Sequence, residues 1–191
     1  MNKKGFTLVE VAIVLIIIGI ILGMVFKGRQ VIDSAKVKSL EANYNKIQTA
    51  IDTFYDRYGF YPGDGCSTAT PASISDCNGE KDGLIGANSK SKELDAFWYL
   101  LINVTGLLTQ ADRKTISGSE WDIEYKFHHD RTGNWLIAEI PRKYICAFDQ
   151  KREDGDNHKG RIQAHGVPDY HPDTDCWKFT DSTQARLYLL P

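Results

Sequence analysis

One carboxylate, Glu10, lies in an otherwise apolar segment between Phe6 and Phe26, where Thr7 is the only other polar side chain. A helix of this length rises about 31 Å, which is enough to cross a bilayer hydrocarbon core of roughly 30 Å. An acid at mid-membrane costs about 2.5–3.5 kcal/mol and less toward the ends, so such residues are usually kept for a function. Glu10 is therefore the first candidate functional residue.

A second group of acids could bind a metal ion. Asp149, Asp154 and Asp156 fall in one short polar stretch, and Ca²⁺ takes six to eight oxygen ligands. The spacing departs from that of an EF-hand, and Lys151 and Arg152 lie between these acids. We expect the three carboxylates to cap a loop, with structural calcium as the alternative; no cofactor is required.

The four cysteines, Cys66, Cys77, Cys146 and Cys176, all follow the apolar segment. An even number there indicates two disulfides in an oxidising compartment, most simply the periplasm. Three pairings are possible, and proximity in the chain favours Cys66–Cys77 with Cys146–Cys176. No C-x-x-C spacing indicates zinc, a redox pair or an iron–sulfur cluster.

Other chemistry has little support in the sequence. His128, His129 and Asp130 are adjacent, but no third or fourth ligand is spaced near them, so a hairpin tip explains them better. The sequence contains no G-x-S-x-G, no H-E-x-x-H and no phosphate-binding loop, which argues against an enzyme. A net charge of −2 without basic runs gives no indication of nucleic-acid binding.

A single long helix must position Glu10. The apolar half, 6–26, continues into an amphipathic half, 27–58, in which apolar residues recur at helical spacing: Leu40, Tyr44, Ile47, Ile51, Phe54 and Tyr58. The opposite side is polar. Gly59 and the Tyr61–Gly65 cluster then predict the end of the helix.

The remaining residues, 59–191, predict one small α+β head. A second helix is expected from Ser91 to Val104, and residues 121–128 alternate as a half-buried strand with Phe127 inward and His128 outward. A turn at 129–134 leads to a partner strand at 135–140, a short helix follows Pro141, and residues 187–190 form a last strand. The sheet is expected to be antiparallel and to pack on the long helix.

The N-terminus resembles that of type IV pilins and type II secretion pseudopilins. The resemblance rests on Lys3 and Lys4, on Gly5 before Phe6, and on Glu10, and no Ala-x-Ala site follows Phe26. It implies cleavage between Gly5 and Phe6, N-methylation of Phe6, and neutralisation of a neighbouring subunit's Phe6 amine by Glu10. Such a pair is far less costly to bury than either charge alone.

The resemblance also implies an architecture, partners and a location. The expected fold is a pilin-like lollipop: a leader at 1–5, a transmembrane half-helix at 6–26, an amphipathic half at 27–58 and a head at 59–191. The expected partners are other pilin-like subunits, prepilin peptidase, an assembly platform and the lipid bilayer. We expect a single-pass bacterial inner-membrane protein with a periplasmic or filament-borne head.

The expected role is structural: a pseudopilin or minor pilin, favoured by the absence of proline at Lys27 and by the size of the head. A major type IV pilus subunit is the alternative within the family. A membrane-anchored periplasmic binding protein that does not assemble is the alternative outside it.

Overall fold

The long N-terminal helix predicted from the sequence is present. The computed structural model describes residues 7–87, 91–166 and 168–190. Helix α1 spans Leu8–Tyr58 as 51 residues without interruption. The chain divides into two compact units, one up to Lys36 and the other from Val37 onward.

Within the second unit, α1 contributes a buried stripe at the predicted spacing. Leu40, Ile47, Ile51 and Phe54 are completely buried. Tyr58 was expected in the same stripe but is 38% exposed, because α1 ends there and its last turn is covered on fewer sides. The stripe belongs to one core cluster with the sheet and the second helix.

The second helix changes its winding before it ends. Helix α2 covers Ser91–Tyr99, and Leu100–Val104 continue as a π-helix. The Thr105 N–H donates to the Leu100 carbonyl at 2.9 Å, five residues back. The predicted range 91–104 is thus helical throughout, although periodicity did not predict the wider last turn.

The head contains one four-stranded antiparallel sheet. Its strands are β1 (Asp122–His128), β2 (Arg131–Pro141), β3 (Ile162–His165) and β4 (Ser182–Leu190), in the spatial order β1-β2-β4-β3. Helix α3, Arg142–Arg152, starts directly after Pro141 as predicted. Strand β3 was not predicted, because only four residues form it.

The inner face of the sheet carries Ile123, Leu136 and Leu187, which are paired across β1, β2 and β4 and buried in the core. The predicted orientation is wrong at the end of β1. Phe127 is 62% exposed, whereas His128 is only 5% exposed. The reason is that the outer face of the sheet is also covered near the hairpin, where His128 packs against Trp135.

Candidate functional site

Glu10 is held by the first turn of its own helix. The Thr7 N–H and the Thr7 hydroxyl both donate to Glu10 Oε2 at 2.8 Å, and the Glu10 N–H donates to Thr7 Oγ1 at 3.3 Å. This reciprocal arrangement is a capping box, which satisfies N–H groups that a helix start leaves without partners. The T-x-x-E spacing in the sequence is the signal that predicts this capping box.

The helix surface around Glu10 is apolar and uncovered in the single chain. Large apolar side chains from Leu8 to Val25 range from 46% exposed at Ile18 to 87% at Leu8. By length and composition this helix could span a membrane. Its most apolar stretch of 18 residues has a mean hydropathy of 3.0, and none of those residues is buried. Burial of so much apolar surface requires a bilayer, neighbouring helices or both.

The predicted processing residues, Gly5 and Phe6, lie outside the described residues. Their cleavage, and the pairing of Glu10 with a Phe6 amine, therefore stay predictions. Among the residues that are described, none other than Thr7 donates a hydrogen bond to the Glu10 carboxylate.

Both disulfides join the cysteines that proximity favoured. Cys66 bonds to Cys77 across 11 residues, and Cys146 bonds to Cys176 across 30 residues. The first closes the loop after α1, and the second ties α3 to the segment before β4. The Gln150 side chain adds hydrogen bonds to the carbonyls of Pro172 and Thr174 at 3.0 and 2.8 Å.

The long loop after α1 is organised by buried polar side chains that the sequence did not reveal. Glu93, only 2% exposed, accepts from the Gly65 N–H at 3.1 Å and the Gly86 N–H at 3.0 Å. Asn134 of β2 accepts from the Ile85 N–H at 2.8 Å and donates to the Gly83 carbonyl at 2.7 Å. These contacts explain how a connection of this length stays ordered.

The turn at the start of this loop is held by a different buried side chain, that of Asp64. Asp64 is buried and accepts from the Gly83 N–H at 3.0 Å. Burial raises the pKa of Asp64, and the bond from Gly83 opposes that rise. Gly63 has φ +83°, and a Cβ there would collide with the Glu93 carbonyl of α2, so the glycine is needed both for the turn and for its close contact with α2.

Asp149 is the most perturbed of the three predicted calcium ligands. It is fully buried, and Oδ1 accepts from the Gly155 N–H at 3.3 Å. The buried Tyr170 hydroxyl lies near this carboxylate, but within the described part of the chain neither Asp149 Oδ2 nor the Tyr170 hydroxyl has a partner at hydrogen-bonding distance. Burial raises the pKa of Asp149 to about 8, and burial together with the Asp149 charge raises that of Tyr170.

The other two predicted ligands have different partners. Asp154 accepts from the Asp156 N–H at 2.9 Å, and Asp156 accepts from the His158 N–H at 3.1 Å and pairs with Lys159 at 2.7 Å. Contacts with Lys159 and His158 lower the pKa of Asp156. Across residues 7–87, 91–166 and 168–190, no three His, Cys, Asp or Glu side chains are arranged to hold a metal ion. Loop capping thus describes these contacts, and calcium stays a prediction.

A hairpin turn is present as expected, but it consists of His129 and Asp130 alone, because strand pairing extends to His128 and Arg131 and the predicted turn at 129–134 was too long. His128 is the last residue of β1 and is not solvent-exposed. Its Nε2 lies 2.7 Å from Glu124 Oε1, and its ring packs edge-on against Trp135 at 5.3 Å. Burial lowers the pKa of His128, and the bond to Glu124 opposes that effect.

Comparison with known proteins adds one finding to this geometry. Residues 1–26 match the family model of the prokaryotic N-terminal methylation motif. The chain thus carries the prepilin signature of type IV pilins and pseudopilins. The match supports a type IV pilin-like subunit, a structural class of protein, and does not distinguish pseudopilins from minor or major pilins. No curated protein and no solved structure matches the chain.

Proposed function

We propose that this protein is a structural subunit of a type IV pilin-like filament assembled from the bacterial inner membrane. Its leader is removed between Gly5 and Phe6, Phe6 is N-methylated, and the apolar half of α1 first anchors the subunit in the bilayer. During assembly the same surface packs against neighbouring subunits, and Glu10 neutralises the Phe6 amine of one of them.

The observation that carries the proposal is the methylation motif on residues 1–26, with Glu10 placed on a helix whose apolar surface is uncovered. Lipid tails are as apolar as these side chains, so transfer of the helix from lipid to neighbouring helices is nearly balanced in hydrophobic free energy, and polar contacts can decide it. A carboxylate and an ammonium that must both leave water provide such a contact.

Among filaments of this kind, we favour a type II secretion pseudopilin or a minor pilin. The basis is Lys27, which occupies a position held by proline in many major pilins, and a head of 133 residues closed by two disulfides. The head would lie in the periplasm or on the extracytoplasmic filament, where disulfides persist. Prepilin peptidase, an inner-membrane assembly platform and other pilin-like subunits are the proposed partners.

The decisive experiment is mass spectrometry of the N-terminus of the protein purified from its own membranes. We expect a chain that begins with N-methylated Phe6. A chain that still begins at Met1 would indicate the membrane-anchored binding protein that does not assemble, and cleavage after Phe26 would indicate an ordinary secretory signal. Either result would overturn the proposal.

A matched pair of variants separates processing from assembly. Glu10→Gln keeps the size of the side chain and its capping oxygen but removes the charge, so we expect a cleaved, membrane-inserted subunit that is not incorporated into filaments. Asp33→Asn, a similar charge removal farther along α1, should assemble normally. Normal incorporation of the Glu10→Gln subunit would refute charge pairing. A deletion strain scored for surface fibres and for released exoproteins distinguishes a pilus from a secretion filament.

A further inference from the structure

The hairpin tip formed by residues 128–131 covers part of the outer face of the sheet. Asp130 Oδ1 accepts from the Gln163 side chain of β3 at 2.7 Å, and the Arg131 guanidinium lies 5.1 Å from the centre of the Tyr188 ring on β4. The tip therefore contacts strands β3 and β4, although β1 lies at the opposite edge of the sheet from β3.

Two of the four tip residues are histidines in contact with the rest of the head. The His129 ring stacks on His158 with ring centres 4.2 Å apart and planes 18° from parallel. His129 also has φ +44°, which is uncommon for a residue other than glycine. His128 bonds to Glu124 and packs on Trp135. Protonation of His128 would thus occur within a packed contact, and protonation of His129 would occur in an exposed ring stack with His158.

A buried cation, Arg186, lies close enough to both tip histidines to act on their charge. Arg186 is 7% exposed and donates to Gln184 at 3.1 Å, its Nε has no hydrogen-bonding partner, and it makes no ion pair with a described residue. The adjacent Gln163, paired with Arg186 across β3 and β4, is fully buried, and its Oε1 has no hydrogen-bonding partner among the described residues. The charge of a buried guanidinium with few hydrogen bonds and no ion pair is poorly stabilised, so a further positive charge placed near it costs free energy.

The charges that face the two tip histidines come from every neighbouring element. Glu124 and Lys126 lie on β1, Arg186 on β4, and His165 at the end of β3. His158 lies on the loop after α3, where its Nε2 is 3.2 Å from Asp169.

Burial lowers the pKa of both His128 and His129, and the Arg186 charge lowers both further. Glu124 opposes the effect for His128 alone. The unfolded chain therefore takes up protons before this packed arrangement does, so the packed tip loses stability as pH falls below the ordinary histidine pKa of about 6.5.

We propose that residues 128–131 are an acid-released cover over the outer face of the sheet. At neutral pH the uncharged rings of His128 and His129 hold the tip against Trp135 and His158. When both rings are protonated, two positive charges form beside Arg186 and are repelled by it, and only His128 has an acid, Glu124, in contact to offset the repulsion. The tip then lifts and exposes Trp135 and Arg186, while the core around α1 stays packed.

Hydrogen exchange read by mass spectrometry on the full chain in detergent micelles tests this proposal. Protection factors, corrected for the intrinsic pH dependence of exchange, are compared at about pH 7.5 and about pH 5 for peptides covering 122–136 and, as an internal reference, 40–54. We expect protection in the hairpin to fall at least about tenfold at the lower pH, because opening the tip lets the amides of the hairpin exchange. The reference segment should change less than about twofold. Unchanged hairpin protection would overturn the proposal.

Variants identify the groups responsible. In the double variant His128→Gln/His129→Asn, glutamine still bonds to Glu124 without titrating and asparagine tolerates positive φ, so the acid-induced loss should disappear. His171→Gln, an exposed histidine outside the hairpin, should behave as wild type. If the double variant does not fold, His129→Asn is tested alone, because the exposed His129 ring can be replaced without disturbing the core. The acid-induced loss of protection in this single variant should be smaller than in wild type. An undiminished loss in the folded variant would refute the assignment.

Discussion

Replacement of the buried Asp149 should make the head more stable at neutral and alkaline pH. Asp149→Asn keeps the shape of the side chain and an oxygen for the Gly155 N–H. The new amide can donate to the Tyr170 hydroxyl, as the protonated carboxyl group would. The substitution removes only the charge that must form in a fully buried position.

The magnitude follows from the pKa of Asp149, which burial raises from 3.8 to about 8. Because the folded state retains the proton while the unfolded chain releases it, wild-type stability should decline as pH rises above about 4 and level off above about 8. Each unit corresponds to about 1.4 kcal/mol, so the limit is about 4 kcal/mol at pH 7 and about 6 kcal/mol above pH 9. Relaxation of the site will make the measured values smaller.

Chemical unfolding of the full chain in detergent, followed by tryptophan fluorescence between about pH 5 and pH 9, provides the assay. At pH 5 Asp149→Asn should exceed wild type by less than about 2 kcal/mol, and at the alkaline end it should exceed wild type by several kcal/mol, or by about 10 °C in Tm. Asp154→Asn is the matched control, because Asp154 is exposed in the same loop and should follow wild type. Parallel pH profiles for wild type and Asp149→Asn would refute the reasoning.

The same assay tests the predicted calcium site. If Asp149 helps to bind Ca²⁺, added Ca²⁺ should restore wild-type stability at alkaline pH, because the ion favours the ionised carboxylate. It should have no effect on Asp149→Asn. If added Ca²⁺ neither stabilises wild type nor protects the loop from protease, the calcium prediction is wrong.

Three further predictions concern the contacts that order the head and the start of α1. Glu93→Gln should lower the free energy of unfolding by about 2–3 kcal/mol, since one of the two backbone N–H donors would face the amide NH2 group instead of a carboxylate oxygen. The control Glu80→Gln, at an exposed position, should leave the free energy of unfolding unchanged in the same urea titration. Removal of the Cys146–Cys176 bond by paired alanine substitution should cost about 3–4 kcal/mol from its 30-residue separation; an unchanged urea midpoint would contradict this. Thr7→Ala should cost the helix start about 1 kcal/mol, measured as faster hydrogen exchange in the first turn than in wild type, with no change in the head.

Apolar periodicity could predict helix α1 but not the buried polar contacts that order the loops of the head. Leu40, Ile47 and Ile51 are buried because a helix repeats every 3.6 residues, a local property that the sequence displays directly. Glu93 and Asn134 are buried because distant loop N–H groups converge on them, and that convergence arises only in the folded head. The sequence alone does not distinguish a buried acid from an exposed one, because the difference depends on where the hydrogen-bond donors lie in the folded head.

The end of β1 shows a different limit of the sequence. The alternation of residue types correctly predicted that Phe127 and His128 lie on opposite faces of the strand. The error was to expect the face of Phe127 to be covered and the face of His128 to be exposed. Coverage there depends on the hairpin tip, which contacts Gln163 and Tyr188 from strands much later in the chain. The disulfide pairing was predictable by contrast, because both bonds join the nearest available cysteines.

The two partners considered for Glu10 differ in strength, and the difference sets a direction for assembly. Among the described residues, Glu10 has only the capping contacts to Thr7, and such a cap contributes about 1 kcal/mol. By hypothesis, a neighbouring Phe6 amine buried in the same apolar environment would be a stronger partner, since breaking a buried ion pair costs about 3–5 kcal/mol. The cap can therefore satisfy the carboxylate before assembly without preventing the exchange. The hypothesis requires Thr7→Ala to leave filament incorporation intact and Glu10→Gln to abolish it; loss of incorporation in both variants would show that the cap itself is needed.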